Sequence, residues 1–433
     1  MRTSFISEIN QTDFKEKLLR WSSQFKEVVF LDSNEHDLKY SDYDCILAVD
    51  AFTSLKTDVE LAFGEFSNYL SVTKDWLFGY FSYDLKNSTE ALSSENFDGP
   101  DFPELYFFQP KKLLLLKGTQ LEMRYLYLCD DEIQSDLQEI KDFDCGRRHG
   151  LPSLEVRARI AKEKYIEKIQ KMLGYIHRGD IYEANFCMEF YAENVGIDPL
   201  ETFISLNAIS GPPFAAFFKR DKNFLMCASP ERYLKKTGSR IITQPIKGTA
   251  RRGATADADE TIISSLRSDP KERSENIMIV DLVRNDLSRT AQKGSVQVSE
   301  LCEIYTFPQV HQMISTITSE LDCQYTVSDL IKTTFPMGSM TGAPKISAMK
   351  IIEELEESKR GVYSGALGYF TPESDFDLNV VIRSIIYNAD TRYASFSVGS
   401  AITSLSDPER EYEECLLKAK AMFEALGVKK IEF

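Results

Sequence analysis

The stretch Asp377-Leu-Asn-Val-Val-Ile-Arg-Ser-Ile-Ile-Tyr387, then Asn388-Ala-Asp-Thr391, then Tyr393-Ala-Ser-Phe-Ser-Val-Gly-Ser-Ala-Ile402, decides the fold class. Two runs rich in β-branched and aromatic residues, joined by four turn-forming residues, read as a β-hairpin. Upstream, residues 181–191, 214–219, 224–228 and 240–246 are further strand-like runs. A helix precedes them, with Tyr165, Ile169, Met172 and Ile176 on one face and Gly179 closing it. Strands joined by short turns, with helices between groups of them, favour an α+β protein. We expect two opposed antiparallel sheets flanked by helices, with the active site in the cleft between them. No G-x-G-x-x-G follows a strand, which argues against a dinucleotide-binding layout.

Working outward, the seam lies at residues 130–157, where acidic residues give way to Cys145-Gly-Arg-Arg-His-Gly-Leu-Pro152. It separates an N-terminal part (1–150) from a catalytic part (160–427). The chain has 433 residues and a formal net charge of −16, which disfavours nucleic acid as a partner. The apolar run Leu113–Leu116 is far shorter than the ~20 residues a membrane span needs. Met1 to Lys17 carry no apolar signal core, so a cytoplasmic location is expected. Eight cysteines are scattered without any C-x-x-C pair, consistent with reduced thiols rather than a metal ribbon.

Two helices place carboxylates on the wrong face. Asp269-Pro-Lys-Glu272 is a helix start, with Asp as N-cap and Pro at the first helical position. Along the helix at 270–289, at about 100° per residue, Ile279, Leu282, Met278 and Asp286 cluster around Glu275. Glu275 therefore points toward a core. The helix opened by Ser406-Asp-Pro-Glu409 repeats the anomaly, with Glu411, Glu414 and Lys418 aligned beside Ala421, Met422 and Ala425. A buried carboxylate needs a partner. Buried salt bridges and a hard-cation site shared by the two helices both satisfy that requirement.

Three other segments can carry chemistry. Pro336-Met-Gly-Ser-Met-Thr-Gly-Ala-Pro-Lys345 leads into a helix and is not a Walker loop; it is either an ordinary helix start after a turn or a set of free N–H groups suited to a carboxylate. Arg383, placed between Val381 and Ile385 on one strand face, suits bidentate capture of a carboxylate or simply marks an edge strand. Lys247, in Pro245-Ile-Lys-Gly-Thr249, is either a solvated strand-end lysine or a desolvated amine whose lowered pKa frees a nucleophilic lone pair. Glu231 lies in Ser229-Pro-Glu-Arg-Tyr233.

These segments occur in one order with Tyr363-Ser-Gly-Ala-Leu-Gly-Tyr369 and the helix bearing Glu414 and Lys418. Together they strongly resemble the chorismate-utilising enzymes: anthranilate, aminodeoxychorismate, isochorismate and salicylate synthases. The resemblance covers about residues 160–427, and Phe78-Gly-Tyr-Phe-Ser-Tyr-Asp84 is similar to the family's N-terminal part. Lysine at the Pro-Ile-x-Gly-Thr position marks the aminodeoxychorismate branch, whereas the other branches typically carry alanine. The resemblance then implies amination of chorismate at C4, giving 4-amino-4-deoxychorismate for p-aminobenzoate and folate synthesis. Lys247 would attack C2 and Glu231 would protonate the leaving C4 hydroxyl. Glu275 and Glu414 would hold Mg²⁺, supported by Glu272 and Glu411. Gly248, Thr249, Ser339, Tyr363, Arg383, Gly399, Ser400, Ala401 and Lys418 would position the substrate. Glu183 stands where water-adding members place a lysine and many aminating members a glutamine. Gln312 replaces a frequent histidine and Ala401 a glycine. The chain has no G-x-C-x-G nucleophile elbow, so ammonia is expected from a separate glutamine amidotransferase subunit. Anthranilate synthase component I, and a catalytically silent binding homologue, are the rival expectations.

Overall fold

The computed structural model describes residues 1–36, 39–146, 154–307 and 310–432. Residues 147–153 of the seam lie outside them. Twenty-one strands form one hydrogen-bonded network, and eleven α-helices accompany it among the described residues. The expected division into two separate sheets is therefore corrected. Two long strands, Cys45–Thr57 and Leu105–Lys117, run continuously from one set of ladders to the other. Cys45 to Val49 pair with Glu27–Asp32 on one side and with Lys112–Leu116 on the other. Beyond an irregularity between Ala51 and Thr53 the same strand pairs with Leu105 to Gln109. From the Leu105 end of that partner, pairing continues outward through Leu77–Phe81, Ala366–Phe370, Phe376–Val380, Arg232–Thr237 and Arg240–Gln244 to Val310–Glu320.

The central strands are apolar on both faces. In Glu27–Asp32, Val28 and Phe30 join a core shared with helices, while Val29 joins a second core on the opposite face. In the leucine run, Leu114 and Leu116 enter the first core and Leu113 and Leu115 the second. Each such buried leucine contributes about 1.5–3 kcal/mol. A strand covered on both sides reads as a continuous apolar run, not an alternating one. That accounts for a tetraleucine in a chain in which no helix among the described residues is long and apolar enough to cross a membrane.

The first 150 residues share ladders with the rest. Glu27–Asp32 pairs with Phe214–Arg220, and Leu77–Phe81 pairs with Ala366–Phe370. The hairpin expected around Asn388 forms, with Ser384–Asn388 pairing Tyr393–Ile402 through Asn388 and Tyr393. One expectation fails beside it. Strand Phe376–Val380 ends before Arg383, and Arg383 has φ 51° in the break that precedes Ser384–Asn388. The arginine is thus displayed from a kink between two strands, not from a strand face.

At the junction of the two parts, Gly79 faces Gly368 across the Leu77–Phe81 and Ala366–Phe370 pair. A Cβ on Gly79 would lie 1.9 Å from the carbonyl oxygen of Tyr106. The close approach excludes any larger residue without backbone movement. Gly79→Ala should cost about 3 kcal/mol, visible as a lowered urea midpoint. An unchanged midpoint would contradict this packing.

Candidate active site

The candidate site draws its groups from widely separated segments of the chain. Lys247 lies within strand Ile246–Arg251, which pairs with Val310–Glu320, so Thr249 stands opposite Gln312. Its Nζ donates to Glu183 Oε1 at 2.9 Å, and its side chain is 11% exposed. Of the two readings of this lysine, the structure gives a buried rather than a solvated one, but its setting is acidic, so its pKa is not lowered. Burial alone pulls the ammonium down, but Glu183, Glu275 and Glu231 together outweigh it and leave its pKa above the ordinary lysine value. Lys247 is therefore an ammonium in the resting structure. A proton must leave before it can act as a nucleophile.

Glu183 opens strand Glu183–Ala192 and is 1% exposed. Its Oε2 has no hydrogen-bond partner among the described residues. The Gly342–Ala343 strand covers it, pairing Ala343 with Glu183. A Cβ on Gly342 would meet the Glu183 carbonyl oxygen at 2.2 Å, so glycine permits the contact.

Glu231 sits in the connection between Asn223–Ser229 and Arg232–Thr237, 5% exposed. Ser339 Oγ donates to its Oε1 at 2.7 Å. Burial pushes its carboxyl up to about 7, against the opposing pull of Ser339, Lys247 and Arg383. Near neutrality it is thus a carboxylic acid able to donate a proton. Burial lowers the pKa of the Arg383 guanidinium, and Glu231 is the charged neighbour that opposes this. No described carboxylate forms an ion pair with Arg383, so the guanidinium remains available for an anionic ligand.

Helix Pro270–Ser288 is capped by Asp269, whose side chain accepts from the N–H groups of Lys271 and Glu272. Glu275 is 8% exposed, as its position in the apolar stripe implied, and its Oε1 has no hydrogen-bond partner among the described residues. Burial pushes its carboxyl up to about 7 despite Lys247. Gly248 has φ 91°, and a Cβ there would lie 3.1 Å from Glu272 Oε2. Glu272 is therefore tucked against the strand that carries Lys247.

On helix Pro408–Ala425 only part of the expected face is buried. Glu411 is 4% exposed, whereas Glu414 and Lys418 are exposed and paired with each other at 2.7 Å. The buried seam is Glu411, Tyr412, Cys415, Ala419, Met422 and Ala425, which turns Glu414 and Lys418 toward the flank. Partial desolvation raises Glu414, but Lys418, together with Lys271 and Lys247, outweighs it and holds its carboxyl below the usual range. Lys418 Nζ also donates to the Gly399 carbonyl oxygen at 2.9 Å.

Gly399, Ser400 and Ala401 pair with Cys187, Phe186 and Asn185 on one edge. The other edge of their strand is paired only as far as Ser395, so among the described residues no strand covers the backbone of 399–401 there. Tyr363 is buried, and its hydroxyl meets Cys187 Sγ at 3.8 Å. Thr249 is exposed.

Whether these residues fit a divalent cation can be tested on the acids themselves. Among the described residues no three His, Cys, Asp or Glu side chains converge closely enough to form a ready metal cage. Lys271 instead stands between the helices, its Nζ 3.8 Å from Glu275 and 4.0 Å from Glu411. Burial lowers its pKa, and Glu275, Glu411, Glu272 and Glu414 raise it. One half-exposed ammonium thus acts as counter-cation to all four glutamates. An all-carboxylate set with an orphaned buried oxygen on Glu275 fits a hard, oxygen-seeking ion.

Two supports had no motif to announce them. Arg360 binds Glu356 and donates to the carbonyl oxygens of Met340 and Asn185, both at 2.6 Å. Glu356 accepts from the Cys187 N–H at 2.8 Å. This pair ties the Ser339 turn to the strand of Glu183; its only sequence signal is an i, i+4 spacing. Asp286, expected near Glu275 on the buried face, is paired with Lys345 at 2.5 Å. The lysine of the glycine-rich segment is thereby committed to structure. Its helix begins at Lys345, with Pro344 as the cap residue.

The profile described as chorismate binding enzyme matches residues 23–424. The chain belongs to the chorismate-binding enzyme family. It is 38% identical over 348 residues to aminodeoxychorismate synthase component 1 of Klebsiella aerogenes, covering 80% of this chain and 76% of that protein. Over 265 residues it is 41% identical to the probable chloroplastic aminodeoxychorismate synthase of Oryza sativa subsp. japonica. That match covers 60% of this chain but only 29% of the rice protein. The structure of anthranilate synthase component I from Streptococcus pneumoniae superposes with a TM-score of 0.78 at 25% identity, covering 90% of this chain and 94% of that one.

A carboxyl raised by burial costs stability once it must ionise. The unfolded value is about 4.3, so stability is greatest below it and is lost as pH rises through the folded value of about 7. Glu231→Gln should therefore stabilise the protein by about 3–4 kcal/mol at about pH 8, with the gain vanishing toward pH 4. Denaturant melts at the two pH values check this; an equal gain at both would contradict it.

Proposed function

We propose that this chain aminates chorismate at C4, giving 4-amino-4-deoxychorismate for p-aminobenzoate and folate synthesis. The observation that carries the reading is Lys247, enclosed at 11% exposure among Glu183, Glu275 and Glu231. A lysine held there has no evident structural purpose that a smaller apolar residue would not serve better. The names of the relatives support the same reaction.

Glu275 and Glu414 would hold Mg²⁺, with Glu272 and Glu411 beside them. The bound ion would offset the charge of the substrate's ring carboxylate. Arg383 would grip a substrate carboxylate, and the uncovered backbone of Gly399, Ser400 and Ala401 would donate to it. Gly248, Thr249, Tyr363 and Lys418 would complete the pocket, and Ser339 would keep Glu231 oriented. Glu231 gives its proton to the departing C4 hydroxyl while Lys247 bonds to C2. Ammonia then adds at C4 and expels the lysine. The cleft belongs to a layered arrangement in which residues 160–427 supply every one of these groups and residues 1–150 supply covering strands. Ammonia would come from a separate glutamine amidotransferase subunit, a reading supported by the "component 1" in the name of the Klebsiella relative. A cytoplasmic location belongs to the same reading.

Purified protein with chorismate, Mg²⁺ and an ammonium salt should form aminodeoxychorismate, which added lyase converts to p-aminobenzoate. Release of anthranilate, or no consumption of chorismate, would refute the reading. Lys247→Ala should abolish C4 amination while leaving chorismate binding measurable. Glu231→Gln should lose about 10²–10⁴-fold in kcat. In the wild type the rate should decline as pH rises past about 7, where Glu231, facing Lys247, Arg383 and Ser339, loses its proton. Glu275→Gln should weaken the Mg²⁺ response; a normal response would remove that glutamate from the metal site.

A further inference from the structure

We propose that Glu183 is the positioning residue that holds Lys247 and receives its proton when the nucleophile is needed. The inference rests on the amination reading above and deepens it. Three observations carry it. The Lys247–Glu183 contact, at 2.9 Å, is the hydrogen bond that the lysine Nζ makes among the described residues. Glu183 is 1% exposed, so water does not compete for the proton. Its second oxygen, Oε2, lacks a donor among the described residues.

The last point matters most. Hydrogen bonds to a carboxylate favour its charged form, and this one has a single partner. In water the ordinary values of about 4.3 and 10.4 favour the charged pair about a millionfold over the neutral one. Burial penalises the charged form of each group. Moving the proton from Nζ to Oε1 also removes two charges from the interior together, so the neutral pair comes within reach as substrate excludes water from the cleft. The other charges facing the pair are Glu275 and Glu231, with Glu272 and Glu414 farther off and Arg383 beyond Glu231. They keep Lys247 protonated at rest, but none is hydrogen-bonded to it.

The proton count closes. Lys247 gives one Nζ proton to Glu183. The freed lone pair forms the Nζ–C2 bond, the ring double bonds shift, and the C4–O bond breaks, its oxygen leaving as water with the proton of Glu231. Ammonia forms the C4–N bond, the double bonds return, and the C2–Nζ bond breaks. The new C4 ammonium returns a proton to Glu231. Lys247 departs as a neutral amine and recovers its proton from Glu183. Nothing is oxidised or reduced.

Glu183→Gln tests this, because the amide oxygen still accepts from Nζ but takes no proton. With ammonium salt as nitrogen source, kcat should fall about 100-fold at neutral pH, and its ratio to wild type at the same pH should rise as pH increases, because solvent then takes the Lys247 proton while loss of the Glu231 proton affects both proteins alike. KM for chorismate should change less than about threefold. Glu183→Asp, which keeps a carboxylate, should retain more activity at neutral pH than the glutamine variant. With chorismate and no ammonium, intact-mass measurement should show the Lys247 adduct forming more slowly in Glu183→Gln by the same factor as kcat. A glutamine variant with the wild-type rate, a loss equal at every pH, or a loss carried by KM would overturn the role of Glu183 and leave the amination reading standing. A wild-type protein that does not aminate chorismate would end both.

Discussion

Charge that is buried must be paired, and this molecule is organised around that constraint. Its strand network is apolar on both faces of the central strands, so every ionised group inside it has to bring a partner. Lys247 with Glu183, Arg360 with Glu356, Lys345 with Asp286 and Arg232 with Asp377 are the results. Each links segments distant in sequence except the Arg360 pair, which reaches across to Met340 and Asn185 through carbonyl oxygens. The pairs therefore act as pins. They hold the turn at Ser339, the start of the Glu183 strand and the lysine strand in one geometry.

The cleft departs from complete pairing in a few places. Glu183 Oε2 and Glu275 Oε1 are buried without hydrogen-bond donors among the described residues, and Glu231 and Glu275 are both pushed up to about 7 by burial. Such groups cost stability, and they cluster at one site. A carboxylic acid at neutral pH, an ammonium beside an under-bonded carboxylate, and an arginine without a described ion-pair partner are unfavourable as structure. They become useful when an anionic substrate arrives. The lysine between the two acidic helices is the counter-example: Lys271 is half-exposed and loosely held, so it balances charge without locking the glutamates.

Much of this is legible in local patterns. The caps at Asp269 and Asp407, the inward Glu275, the hairpin at Asn388 and the Gly179 helix stop all follow from short-range rules. The failures share one cause. The β-branched neighbours of Arg383 point to a strand face, but the backbone kinks there with φ 51°. Spacing aligns Glu414 and Lys418 with the buried stripe, although the packing rotates that stripe toward Cys415 and Ala419. The sequence neighbours of Lys247 suggest apolar surroundings, whereas its spatial neighbours are acids.

The amino-acid order alone determined the element types, the caps, the family resemblance and the identity of the groups able to do chemistry, because those depend on residues within a few positions of one another. Tertiary structure decided which carboxylate faces which cation, that the strands join into one network, and that Glu183 lies against Lys247 from 64 residues away. Pairing across such a separation depends on burial and on distances set by the whole packing, and no local pattern encodes either.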